Sequence, residues 1–206
     1  MGQDLDGEAA VDYFGLSVAL SADGSRLAAG ARTNDASGTN AGHVRVFDWN
    51  AGTGAWVQVG ADIDGEAAGD WFGASVSLSA DGSRLAAGGY LNDGDGTDVG
   101  HVRVFDWSGS AWVQVGADLD GEAAGDEFGQ SVSLSADGSR LAAGGTYWGN
   151  DGDGTDAGRV RVFKQAGESQ SARHTDWDPA QPVRGTKVWV VSHGRVTSCL
   201  DPRGGR

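Results

Sequence analysis

One eighteen-residue string occurs three times in this chain: FGLSVALSADGSRLAAGA from Phe14, FGASVSLSADGSRLAAGG from Phe72 and FGQSVSLSADGSRLAAGG from Phe128. The three phenylalanines place one unit every 58 or 56 residues. Self-similarity at a period of that size marks a repeat architecture, in which one supersecondary unit stacks on copies of itself. The string is preceded each time by an acidic segment, GQDLDGEAAVDYFG from Gly2, GADIDGEAAGDWFG from Gly60 and GADLDGEAAGDEFG from Gly116. Reading one unit well therefore accounts for most of the 206 residues.

Within the second unit, Ser75, Val76, Ser77 and Leu78 alternate polar and apolar, the period of a half-buried strand. Ala80–Asp81–Gly82 supplies a turn, and the chain returns through Ser83 to Gly88. The small residues Ala86 to Gly89 predict a close backbone approach to a neighbouring sheet. A polar loop follows: NDASGTNAG from Asn34, NDGDGTDVG from Asn92 and NDGDGTDAG from Asn150. It leads into a third strand, HVRVFDW from His101, with Val102 and Val104 on one side and His101, Arg103 and Phe105 on the other. Trp112 to Val115 gives a fourth strand, and no segment has the apolar spacing of a helix. The expected fold is all-β: three four-stranded antiparallel blades of propeller type, in units of about 2–59, 60–115 and 116–165. Closed propellers have four to eight blades, so three form an incomplete propeller. An exposed blade edge then calls for a partner, either a second copy of the chain or further repeats of a longer array of which this is a fragment.

From about Ala166 the composition changes. Residues 166–206 hold all three prolines, the single Cys199 and six of the fifteen basic residues. Two readings stand for this tail: an irregular or disordered segment, or one that donates the run Lys187 to Ser192 as a fourth strand of the third blade. The net charge of −14 argues against nucleic acid or an anionic membrane as partner. The start has neither the basic nor the apolar part of a signal peptide, and no run is long and apolar enough to span a bilayer.

The pattern FGxSVxLSxDGxxLAxGG, then an Asp/Asn/Gly-rich loop, then GHVRVF, resembles the FG-GAP repeats of integrin-α-like β-propellers, most of all the bacterial and algal versions. The resemblance covers Gly2 to about Phe163. It implies an extracellular or cell-surface protein, a non-enzymatic interaction or adhesion module with a protein or glycan partner, and stabilisation by Ca²⁺. One departure bears on the metal. The integrin calcium loop lies where this chain has the short SADGSR hairpin with a single carboxylate, Asp23, Asp81 or Asp137, so that site does not transfer by position.

The candidate metal ligands are instead Asp93, Asp95 and Asp98 of the second polar loop and Asp151, Asp153 and Asp156 of the third. Near-alternate carboxylates on a Gly-rich loop suit a hard cation such as Ca²⁺. The same residues also suit a solvated turn, and in the first copy Ser37 and Asn40 replace the second and third aspartates. The DxDGE carboxylates (Asp4, Asp6, Glu8; Asp62, Asp64, Glu66; Asp118, Asp120, Glu122) recur in every unit, which favours a blade-connecting turn over a catalytic pair. His43 and His101 occupy equivalent strand positions that the third copy fills with Arg159, and are expected to face solvent without acting as metal ligand or base. The FGxSV serines do not form GxSxG. Copies differ at Tyr13, Trp71 and Glu127 before FG, and at Arg32, Tyr90 and the pair Tyr147 and Trp148 after the second strand. An aromatic rim of Trp71, Tyr90, Tyr147 and Trp148 is the candidate binding surface. Trp49, Trp56, Trp107 and Trp112 are expected to pack within or between blades. The reading is therefore a binding module and not an enzyme; the alternative from another class is a hydrolase or lyase on a propeller, its site formed where unlike residues of different units converge.

Overall fold

The computed structural model describes residues 2–94, 96–146 and 158–165, together with the backbone of 189–192 and 195–199. Among the described residues every regular element is a strand. The first blade runs β1 (Ser17–Leu20), β2 (Arg26–Ala31), β3 (His43–Asn50), β4 (Ala55–Gln58) and β5 (Ile63–Asp64). The second repeats it as β6 (Ser75–Leu78), β7 (Arg84–Gly89), β8 (His101–Trp107), β9 (Trp112–Gln114) and β10 (Leu119–Asp120). The third contributes β11 (Ser131–Leu134), β12 (Arg140–Gly145) and β13 (Arg159–Lys164). In the tail, β14 (Trp189–Ser192) pairs antiparallel with β15 (Arg195–Cys199).

All these ladders are antiparallel, and corresponding registers match: Leu20 opposes Leu27, Leu78 opposes Leu85 and Leu134 opposes Leu141. The outer edge of a complete blade is not one strand but two. β9 pairs with the far half of β8 and β10 with its near end, so the DxDGE segment begins as a two-residue strand before turning toward the next blade. Each blade thus begins at its FG strand and ends at the DxD of the following acidic segment. The FG strands stack side by side, β1 against β6 and β6 against β11.

Three devices hold one blade to the next. Apolar side chains interlock: Ala28, Val44 and Val46 of the first blade meet Phe72, Leu78, Leu85, Ala87 and Phe105 of the second. Ala86, Val102 and Val104 meet Phe128, Leu141, Ala143 and Phe163 in the same way. The serine of FGxSV donates to the carbonyl of the next blade's FG glycine, Ser17 Oγ to Gly73 O at 2.7 Å and Ser75 Oγ to Gly129 O at 2.6 Å. Arginine adds a staple: Arg84 grips Asp106 through two bonds of 2.6 and 2.7 Å and donates to Gly138 O of the third blade's hairpin at 2.9 Å. The expected close approach is present, because a Cβ on Gly88 would stand 2.1 Å from Gly129 O and one on Gly30 2.0 Å from Gly73 O. Trp49 faces Trp56 and Trp107 faces Trp112 across their ladders, and the Trp112 indole donates to Val59 O of the preceding blade at 3.2 Å.

Candidate functional site

The polar loops join blades. Thr97, Asp98 and Val99 offer their carbonyls to the N–H groups of Gly125, Glu127 and Phe128, and the first copy does the same from Thr39, Asn40 and Ala41 to Gly69, Trp71 and Phe72. Asp93 Oδ1 closes its own loop by accepting from the Asp98 N–H at 2.9 Å. Asp35 closes the first loop identically on Asn40, at 2.7 Å, without the additional carboxylates. This geometry is that of a turn. Asp95, Asp151, Asp153 and Asp156 lie outside the described residues, as do Tyr147 and Trp148.

Part of the aromatic rim is assembled. Trp71 meets Tyr90 edge-on with ring centroids 5.6 Å apart, the Arg32 guanidinium lies 4.4 Å from the Trp71 ring centre, and Arg32 donates to the Tyr90 hydroxyl at 3.3 Å. Tyr13 covers the other side of Arg32 at 5.7 Å. The row Tyr13, Arg32, Trp71, Tyr90 therefore crosses from the first blade to the second. Tyr13, Trp71 and Glu127 each hold a positive φ, of 52, 54 and 49°. A non-glycine residue costs about 1–2 kcal/mol there, and three copies tolerate it because the turn before FG needs that backbone whatever side chain it carries.

The histidine expectation is overturned. His43 and His101 are fully buried, at 0% exposure. In both blades the acidic segment that enters the blade lies over this side of the third strand, Asp6 and Glu8 on Arg45 and Asp64 and Glu66 on Arg103, so the histidine beside that arginine meets protein and not water. Around His101 the chain gathers two of the DxDGE carboxylates. Glu66 comes from the segment entering the blade and Asp118 from the segment leaving it, and one ligand-capable atom of each lies within 4.8 Å of the other two. Glu8, His43 and Asp62 form the same group in the first blade. His101 Nδ1 stands 3.3 Å from Asp118 Oδ2, and His43 Nδ1 3.8 Å from Asp62 Oδ2. Neither ring nitrogen of either histidine makes a hydrogen bond.

The surroundings are charged. Arg103 lies 3.8 Å from Glu66 and 4.0 Å from Asp118, and donates to Gln114 Oε1 at 3.0 Å and to Asp64 O at 2.9 Å. The Gln114 amide in turn donates to Asp118 Oδ1 at 2.6 Å. Burial would raise the Asp118 carboxyl, yet His101, Gln114 and Arg103 together hold it down at about 2. Burial pushes Glu66 up, against the pull of Arg103 and with the help of Asp118. Burial also lowers His43 below the ordinary imidazole range, Asp62 and Glu8 opposing. The sequence did carry a signal for this group, since Glu8, His43 and Asp62 reappear one unit later as Glu66, His101 and Asp118.

Residues 5–47 match the FG-GAP repeat family. The first unit carries an FG-GAP repeat, and the second and third repeat its strand pattern. A search of curated sequences finds no match to it. Among solved structures, the chain is similar to a candidate 6-phosphogluconolactonase from Bacteroides uniformis, with 14% identity and a TM-score of 0.50 over 74% of this chain and 37% of that one. It is also similar to the hydrazine synthase of Kuenenia stuttgartiensis, with 18% identity and a TM-score of 0.43 over 72% of this chain and 33% of that one. The chain thus spans about a third of the length of either. Among the described residues no helix is long and apolar enough to cross a membrane.

Proposed function

We propose that this chain is a non-enzymatic interaction module of the adhesion type, working outside the cell or at its surface, whose binding unit is a ring closed by two copies. One observation carries the reading. The third blade leaves Val160 and Val162 68% and 60% exposed, while their equivalents Val102 and Val104 are 0% and 2% exposed against a following blade. The first blade leaves Val18 and Leu20 exposed, whereas Leu78 at the corresponding place is buried against a preceding blade. The two free faces are thus the two halves of a blade-to-blade contact. A second copy is the occupant that supplies both, and two chains of three blades give six, within the range of closed propellers. The rim of Tyr13, Arg32, Trp71 and Tyr90 then offers an outside protein or glycan a contact of rigid aromatic side chains around one cation.

Sedimentation at micromolar concentration tests the assembly. The expected species is a dimer that Val160→Asp with Val162→Asp converts to a folded monomer. A wild-type monomer at those concentrations would sink the closed-ring reading.

A further inference from the structure

We propose that Glu66, His101 and Asp118, and likewise Glu8, His43 and Asp62, bind a divalent metal ion of the zinc class, one ion to each group. The inference is independent of the assembly above, because each group lies against a single blade.

Four observations point the same way. The imidazoles are wholly buried with both nitrogens unpartnered, and Nδ1 faces the carboxylates. Leaving such a group unsatisfied is unfavourable, and two blades repeat the arrangement. A metal coordinates the lone pair of a neutral imidazole. Next, the carboxylate is oriented from behind. Gln114 holds Asp118 Oδ1, and Gln58 holds Asp62 Oδ1 at 2.6 Å, which leaves Oδ2 toward the histidine in both blades. Amide and guanidinium partners of this kind set the direction of a ligand's free oxygen.

The charge balance also calls for a cation. Two carboxylates face one arginine in each group, Glu66 and Asp118 with Arg103, and Glu8 and Asp62 with Arg45. Apart from the imidazole, each group sets two carboxylates against one guanidinium. The third blade is the internal control. There Arg159 takes the histidine position 2.6 Å from Glu122, and no counterpart of Asp118 follows among the described residues, so the group of one histidine and two carboxylates belongs to the first two blades.

The donor set of one nitrogen and two carboxylate oxygens selects the class of ion. Calcium asks for six to eight oxygens, whereas imidazole favours zinc and its transition-metal neighbours. Ligands about 2.1 Å from a tetrahedral ion stand about 3.4 Å apart. The ligand atoms here lie within 4.8 Å of one another, and Glu66 is the exposed member through which an ion would enter.

The test uses the full chain loaded with zinc and dialysed against buffer, with the retained metal counted by mass spectrometry. The expectation is one zinc per group, lost from one group in His101→Arg and from both in His43→Arg with His101→Arg. Arginine is the substitution the third repeat already contains, and Glu66→Gln with Asp118→Asn gives a second route that leaves the buried ring in place. Cobalt should show visible absorption bands in the wild type that vanish in the double arginine variant, and millimolar calcium should not displace it. Absence of retained zinc in the folded wild type, or retention undiminished in the double variant, would overturn the proposal, the latter by placing the metal elsewhere.

Discussion

The second and third blades turn nearly the same sequence toward their next neighbour, and only one of them has a described neighbour to meet. Val102 and Val104 are covered, Val160 and Val162 are not. Arg84 is clamped by Asp106 and reaches the third blade's hairpin, while across the ladder from Arg140 stands Lys164 in place of aspartate. The strands are equally regular in both blades. A repeat of this kind therefore gets its strand geometry from within the blade and much of its burial from the contact between blades.

The sharpest way to break that comparison is at glycine. A Cβ on Gly88 meets Gly129 O at 2.1 Å, whereas one on Gly144 meets Arg159 O at 3.1 Å and Ser131 Oγ at 3.2 Å. Gly88→Ala should cost about 3 kcal/mol or more by forcing the blades apart, and Gly144→Ala about 1 kcal/mol or less. Equal losses in urea unfolding would show that the contact does not carry the difference. Next in size, Val104→Ala should cost about 2 kcal/mol through lost burial and a cavity, and Val162→Ala under about 0.5 kcal/mol in dilute monomer. A smaller contrast lies in the staple. Asp106→Ala should lose about 1 kcal/mol by removing two of the hydrogen bonds of the nearly buried Arg84. Lys164→Asp, which restores the aspartate at the open face, should gain no more than about 0.5 kcal/mol, read from the melting midpoint.

The smallest expected effect is a pH dependence. The hydroxyl of Ser135, the backbone N–H of Ser139 and the hydroxyl of Ser139 hold Asp137 at about 2. Its folded value lies below its unfolded one, so the bonds contribute fully above the ordinary carboxylate value near 3.8 and are lost as pH falls toward 2. Asp137→Asn should flatten that part of the acid limb, with a small loss of stability at neutral pH where the ionised carboxylate contributes. An unaltered acid limb would mean that the hairpin does not sense the proton.

Much of this was legible in the chain. Period-two alternation and the Ala–Asp–Gly turn are local signals, so Ser75–Leu78 and His101–Trp107 emerge with the bounds read from sequence. The small-residue run correctly announced the close approach at Gly88. The burial of His101 was not legible from alternation, which sorts residues onto two faces but cannot say that both faces are covered. The two-residue strands Ile63–Asp64 and Leu119–Asp120 are too short to show any period. Glu66, His101 and Asp118 are far apart in sequence, and only the path of the DxDGE segments along the edge of β8 brings them together.

The serine latch has a mechanical meaning. Ser17 reaches the carbonyl of Gly73 and Ser75 that of Gly129, so each latch ties a blade only to the one beside it. A pull on the two ends of the chain meets these ties in series and not in parallel. Tension should then peel the arc blade by blade, each release lengthening the chain by about one repeat while the rest stays folded, the response of a tether that yields in steps before it fails.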